Sequence, residues 1–168
     1  KDHQHIVNWA QDFVPSAVSL NDDLSPSRIC TAFDYELKQY FRLCGLARSK
    51  TALQSLSVEA ERQIFRIRVA IEKQIAVSID TSSASWKERL MDLTKGSFFG
   101  ASKKQGVSMR MPLSTCNPTA LCASGCYAHD VLDAAPNSIV RGVINGWIAS
   151  QFEKGGSENR SMILKNLE

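Results

Sequence analysis

The spacing of apolar residues predicts helices along the amino-terminal part of the chain. A short amphipathic segment begins near Ile6 and ends before Pro15, because proline cannot continue a helix. Ser25 is a favourable N-cap and Pro26 a favourable first helical residue, and apolar residues then recur at helical spacing until Gly45. We therefore expect a single helix between Ser25 and Gly45.

Two more helices are predicted before residue 97. In the first, between residues 57 and 78, an apolar stripe lies opposite a charged face, which is typical of a long surface helix. The stripe is Ile64, Ile67, Ile71, Ile75 and Ser78. The charged face is Glu61, Arg62, Arg66, Arg68, Glu72 and Lys73. The second is a shorter helix that begins at a capping box formed by Ser85 and Glu88 and ends at Gly96.

The pattern changes after residue 97, where glycine and proline interrupt any long period and residues 107–113 can pair as strands. Helical spacing returns at Pro136 and continues through Phe152, with Gly142 and Gly146 leaving room for a close neighbour. A last helix begins near Ser157. The predicted fold is mainly α, a helical bundle with an inserted Cys-rich metal-binding loop and a further C-terminal helix.

This pattern divides the chain into three parts. Residues 1–96 form a helical domain, residues 97–130 form a basic, Cys-rich loop module, and residues 131–168 form C-terminal helices that pack on the first domain. The chain starts at Lys1 and its last helix has no stop signal, so we expect a fragment of a longer protein.

Composition restricts the class of protein. The 168 residues are 43% hydrophobic and 22% charged, which is typical of one ordinary globular domain. No apolar run approaches the roughly 20 residues that span a bilayer, and no secretory signal is present, so we expect no membrane partner. The five cysteines are an odd number with no disulfide pattern, which favours a reducing, cytoplasmic location.

The strongest candidate for chemistry is a cluster of soft metal ligands within fourteen residues: Cys116, Cys122, Cys126 and His129. Three thiols and one imidazole suit a tetrahedral Zn²⁺ site, and proline and glycine between them supply turns. Four protein ligands leave no open position for water, so the site is expected to be structural. His129 is the least secure ligand, because Asp130 or a residue from elsewhere can replace it.

Other interpretations of the cluster remain open. The three thiols can be buried as small apolar groups, which is the favoured interpretation for Cys30 and Cys44 in the helical part. The spacing of Cys122, Cys126 and His129 is close to that of an iron-sulfur cluster loop, although the preceding helices do not form the scaffold such enzymes use. A nucleophilic cysteine with His129 as its base is the third alternative.

The run Cys-Tyr-Ala at residues 126–128 follows spaced cysteines and the basic stretch Met-Arg-Met-Pro-Leu-Ser-Thr at residues 109–115. This combination, which covers about thirty residues, resembles small Cys-rich proteins carried by phages and plasmids. Those proteins mostly lack an assigned activity. The resemblance implies a mobile-element context and a metal-bound loop.

A basic stretch without acidic residues precedes the cluster and includes Lys95, Lys103, Lys104 and Arg110, with Phe98 and Phe99 among them. Basic side chains can neutralise phosphates and an exposed aromatic ring can stack on a base, so the stretch is a candidate nucleic-acid contact. Four charges are few, and the net charge is only +3. An ordinary solvated loop is the simpler interpretation of the same residues.

The sequence therefore favours a binding protein over an enzyme. The first hypothesis is a non-enzymatic, zinc-stabilised module that associates with nucleic acid. The alternative is a protein-protein adaptor or inhibitor subunit that docks through Trp147 and Phe152. The competing interpretation of Trp147 is that it is a core residue. An iron-sulfur or thiol enzyme is the second alternative.

Overall fold

A computed structural model describes residues 4–21, 23–48, 58–94, 100–102, 106–119, 122 and 135–167. Within these residues the chain is mainly helical, which confirms the predicted mainly α class. The α-helices are α1 (Gln4–Gln11), α2 (Pro26–Ala32), α3 (Asp34–Arg48), α4 (Val58–Asp80), α5 (Trp86–Thr94), α6 (Pro136–Lys154) and α7 (Ser157–Leu167). Two short strands, β1 (Gly100–Ser102) and β2 (Gly106–Ser108), pair antiparallel with Ala101 opposite Val107. None of the described helices has both the length and the apolar character required to cross a membrane.

The segment predicted as one helix from Ser25 to Gly45 is divided into α2 and α3. The break falls at Phe33, whose backbone angles of φ −105° and ψ 22° lie outside the helical range. The side chain of Phe33 is fully buried. Asp34 and Glu36 occupy the first turn of α3, where the helix dipole favours acidic side chains. A buried Phe33 followed by this acidic first turn accounts for an interruption that the apolar pattern does not reveal.

Helix α4 lies at the centre of the bundle and packs against α1, α3 and α6. The predicted stripe of Ile64, Ile67, Ile71, Ile75 and Ser78 is buried, and Ile79 beside it is buried as well. The β-branched side chains have few rotamers, so they lose little conformational freedom when they pack. The central position of α4 means that each neighbouring element is placed relative to this stripe.

Two members of the predicted charged face of α4 are buried, so the prediction that this face is exposed to solvent is wrong at these two positions. Arg68 is 1% exposed and Glu72 is 0% exposed. Arg68 follows Ile64 by four residues and Glu72 precedes Ile75 by three. Residues at these intervals share one side of a helix, so both charges project toward the side that α3 and residues 113–115 cover.

Helix α6 is the second long element of the core and contacts α2, α4 and α5. Its buried apolar residues are Ile139, Val140, Val143, Ile144, Trp147 and Ile148. The indole N–H of Trp147 donates to Oδ1 of Asp80 at 2.6 Å, and that of Trp86 donates to Oε1 of Gln151 at 2.8 Å. Two tryptophans therefore link α6 to the end of α4 and to α5 by polar contacts as well as by packing.

Helix α5 begins at the capping box that the sequence predicts. The Ser85 hydroxyl accepts a hydrogen bond from the N–H of Glu88 at 3.3 Å, and the Glu88 carboxylate accepts one from the N–H of Ser85 at 2.8 Å. Hydrogen bonds from the side chain and the backbone of Ser85 lower the pKa of Glu88. The exchange satisfies two N–H groups that the helix itself leaves without partners.

The substitution Ser85→Ala should lower the free energy of unfolding by about 1 kcal/mol, because a cap hydrogen bond is lost. The pKa of Glu88 is lowered in the folded state, so its stabilising effect is present above its ordinary value of 4.5 and disappears as pH falls through the lowered value. Glu88→Gln should therefore differ from the wild-type chain most at neutral pH. Urea unfolding across the acidic range measures this, and a difference independent of pH would contradict it.

Candidate functional site

The structure describes only part of the predicted site. Cys116 and Cys122 are exposed, and so is Arg110. The other predicted residues lie outside the described part of the chain: Lys95, Lys103, Lys104, Cys126 and His129, together with Phe98 and Phe99. Among the residues that the structure describes, no three potential ligands form a group around one position. The predicted four-ligand site therefore stays a prediction.

The described part of the site is the stretch of residues 109–116, here called the anchored segment. Leu113 is buried and packs against Phe65 and Val69 of α4, forming a small cluster apart from the main core. Pro112 lies against α6, where a Cβ added to Gly146 would lie 2.6 Å from the proline Cγ. The close neighbour that the sequence predicts for the glycines of α6 is therefore this segment.

Polar side chains of two helices hold the backbone of the anchored segment. Oε2 of Glu72 accepts a hydrogen bond from the N–H of Ser114 at 2.7 Å. Nδ2 of Asn145 donates to the carbonyl of Arg110 at 2.8 Å. The N–H of Cys116 donates to the carbonyl of Leu113 at 2.9 Å and closes a 3₁₀ turn. The main chain is thus fixed on both sides of Pro112, and the turn ends at the first predicted metal ligand.

The carboxylate that binds Ser114 belongs to a buried ion pair. Nε of Arg68 lies 2.6 Å from Oε1 of Glu72. Nη1 of Arg68 donates to the hydroxyl of Tyr40 at 3.3 Å, and its guanidinium lies 5.4 Å from the centre of that ring. Burial raises the pKa of Tyr40, so this hydroxyl keeps its proton. Both carboxylate oxygens of Glu72 are therefore used, one within the core and one on the anchored segment.

The cysteines fall into two environments. Cys116 and Cys122 are exposed, Cys30 is half-buried and Cys44 is buried, and none of these four described cysteines is in a disulfide. Burial raises the pKa of the Cys30 thiol, which disfavours the thiolate that a metal ligand or a nucleophile requires. Cys116 and Cys122 are thus accessible from solvent, and their role as metal ligands stays a prediction.

The two residues of the alternative docking hypothesis differ in exposure. Trp147 is 5% exposed and its indole N–H is bound to Asp80, so it is a core residue. Phe152 is partly exposed, and the guanidinium of Arg160 lies 5.6 Å from the centre of its ring. Only Phe152 of this pair is at the surface.

Several residues that shape the site were not recognised from the sequence. Asn145 lies within the apolar stripe of α6, and a polar residue in that position is a signal that it has a buried partner. An aromatic cleft formed by Trp9, Phe13 and Tyr35 was also missed, because it requires α1 and α3 to come together in space. The geometry defines a helical bundle that carries an anchored, cysteine-bearing segment on its surface.

Comparison with known proteins does not extend this classification, since no family model, no curated protein and no solved structure matches the chain.

The substitution Gly146→Ala should lower the free energy of unfolding by about 1–3 kcal/mol, because the new methyl group would overlap the rigid ring of Pro112. Gly45→Ala in α3 is a matched control, since a Cβ there meets nothing within 4 Å. That change should be neutral or stabilising by up to about 1 kcal/mol. Urea unfolding gives both values, and hydrogen exchange at the Ser114 amide should accelerate only in Gly146→Ala. Equal stability of the two variants would contradict the close packing.

Proposed function

We propose that this chain is a non-enzymatic binding module in which the helical bundle supports a zinc-stabilised, cysteine-rich loop that contacts nucleic acid. The observation that carries the proposal is the anchoring of residues 109–116. A buried carboxylate and a buried amide bind the main chain of this segment, although the larger hydrophobic core lies elsewhere. Fixing a surface segment in this way holds the residues at its end, Arg110 and Cys116, in position for binding.

Zinc is the favoured metal for chemical reasons. Thiolate and neutral imidazole are ligands that Zn²⁺ prefers, and four of them complete a tetrahedral shell. Cys116 and Cys122 are exposed, so a metal ion can reach them without opening the core. Thiolate ligands persist in a reducing compartment, which favours a cytoplasmic location. The resemblance to Cys-rich proteins of phages and plasmids supports a mobile-element origin for the same loop.

Nucleic acid is the favoured partner because basic residues lie within the anchored segment and before it in the sequence. Arg110 is exposed and its carbonyl is held by Asn145, so its backbone position is set by α6. Lys103 and Lys104 lie between β1 and β2 in the sequence. Side chains of this kind bind phosphate groups and release counterions, which gives affinity without requiring a particular base sequence.

Elemental analysis of anaerobically purified protein tests the metal. The wild-type chain should contain one equivalent of zinc, and Cys116→Ser and Cys126→Ser should lose it, because each change removes a thiolate. Cys30→Ser is the matched control and should retain the metal, since this half-buried cysteine lies in the helical part.

The outcomes of this measurement separate the alternatives. Iron with visible absorbance would overturn the zinc site in favour of an iron-sulfur cluster. Absence of metal together with selective alkylation of one clustered cysteine would favour a thiol enzyme. Absence of metal with no reactive thiol would leave the clustered cysteines without a ligand or a catalytic role and contradict the proposal.

Binding of a labelled DNA duplex at several salt concentrations tests the nucleic-acid contact. The double variant Lys103→Glu, Lys104→Glu should reduce the slope of log K against log salt by about 2, and Arg110→Glu by about 1, because each contact releases roughly one counterion. Lys87→Glu on α5 makes the same change of charge on an exposed part of the bundle and should leave the slope unchanged. If all the variants bind as the wild-type chain does, these residues do not contact phosphate.

A further inference from the structure

A cleft of about 250 Å³ lies between the end of α1 and the first turns of α3. Its walls are mainly aromatic and acidic and include Trp9, Asp12, Phe13, Val14, Tyr35 and Glu36. The rings of Trp9 and Phe13 are 5.0 Å apart between centres, with planes inclined at 37°. Trp9 is 37% exposed and Tyr35 is 63% exposed. Large aromatic surfaces that remain accessible around a cleft are typical of a binding site.

Glu36 gives the cleft an unusual electrostatic character. The residue is only 4% exposed, and its Oε1 accepts a hydrogen bond from the N–H of Ser16 at 3.3 Å. Within the described part of the chain, no basic side chain forms an ion pair with Glu36 or with Asp12. Arg66, which reaches α1 from α4, donates instead to the carbonyl of Ala10. A carboxylate as buried as that of Glu36 is usually paired with a cation, and the first turn of α3 compensates its charge only in part.

We propose that this cleft binds an organic cation whose charge is carried by an alkylated ammonium group. The faces of aromatic rings attract such cations, and the carboxylates of Asp12 and Glu36 in the lining of the same cleft add negative charge. Alkyl groups on the nitrogen suit the aromatic rings of the walls. A primary ammonium is strongly hydrated and needs several hydrogen-bond acceptors, and a shallow cleft of this kind offers few of them. The ligand is choline-like when free and trimethyllysine-like when it belongs to a protein.

A second cleft in the bundle contains a carboxylate that is already paired with a lysine, so it serves as an internal comparison. It has a volume of about 440 Å³ and is lined by residues that include Cys30, Leu37, Phe41 and Pro136. Its carboxylate, Asp34, already forms an ion pair with Lys38 at 2.7 Å. A cation entering there would compete with this lysine, so affinity for ammonium groups should be confined to the first cleft.

Titration of the isotopically labelled chain with choline chloride at constant ionic strength tests the proposal. The indole N–H signal of Trp9, assigned with Trp9→Phe, should shift in a saturable manner. The uncharged isostere 3,3-dimethyl-1-butanol should bind at least about tenfold more weakly, because it keeps the shape and loses the charge. A peptide containing trimethyllysine should bind more tightly than the same peptide containing lysine. Tighter binding of the trimethyllysine peptide than of choline indicates a protein ligand, and the reverse order indicates a free ligand.

Two variants and one control assign the site. Glu36→Gln keeps an acceptor for Ser16 and removes the charge, and Tyr35→Ala removes an exposed ring. Glu36→Gln should weaken choline binding by about tenfold, and Tyr35→Ala should weaken it by about threefold. Asp34→Asn makes the same charge change in the second cleft and should bind choline as the wild-type chain does. An absent or unsaturable shift, equal binding of the uncharged isostere, or an equal loss in Asp34→Asn would overturn the proposal. Metal content is not involved, so this result is independent of the zinc site.

Discussion

The buried ion pair between Arg68 and Glu72 is the constraint on which the rest of the structure depends. Removing two charges from water carries a large desolvation penalty, and a buried pair is tolerated when its remaining hydrogen-bonding groups are also satisfied. Here α3 contributes the hydroxyl of Tyr40 and the anchored segment contributes the N–H of Ser114. Three parts of the chain must therefore be in place together for the charges to be compensated. The positions of α3, α4 and the segment are coupled through a single carboxylate and guanidinium.

Much of the fold was predictable because the signals are local. The cap residues Ser25 and Ser85 and the proline at position 136 mark helix starts that the structure also has. The apolar period of α4 placed its isoleucines correctly. The same spacing also indicated the buried pair, since Arg68 lies four residues after Ile64 and Glu72 lies three residues before Ile75. They were assigned to the solvent face because charge was weighed above position. Their partners are also distant in the sequence, since Tyr40 lies 28 positions before Arg68 and Ser114 lies 42 positions after Glu72.

The candidate site was predictable to a smaller extent. Spacing alone is the basis for predicting the cysteines and the basic residues as a site, and that site stays a prediction. The glycines of α6 correctly indicated a close neighbour. The identity of that neighbour depends on tertiary structure, because Pro112 reaches Gly146 only when the segment folds back on α6. The role of Asn145 is equally non-local. The aromatic cleft combines residues from the end of α1 and the first turn of α3 that share no pattern in the sequence, so only the folded chain brings Trp9 and Tyr35 to one cleft.

The anchored segment has a consequence for chain entropy. Cys116 follows a turn bound to α4, and Pro136 begins a helix buried in the core, so the connection between them starts and ends at points that the bundle fixes. The entropy cost of bringing the ends of a loop together rises only slowly with its length, and here the hydrophobic core offsets that cost. At the proposed zinc site, the ion would need to restrict only the residues between these two points. This placement would raise the local concentration of the thiols around the ion without a new contact to the ion.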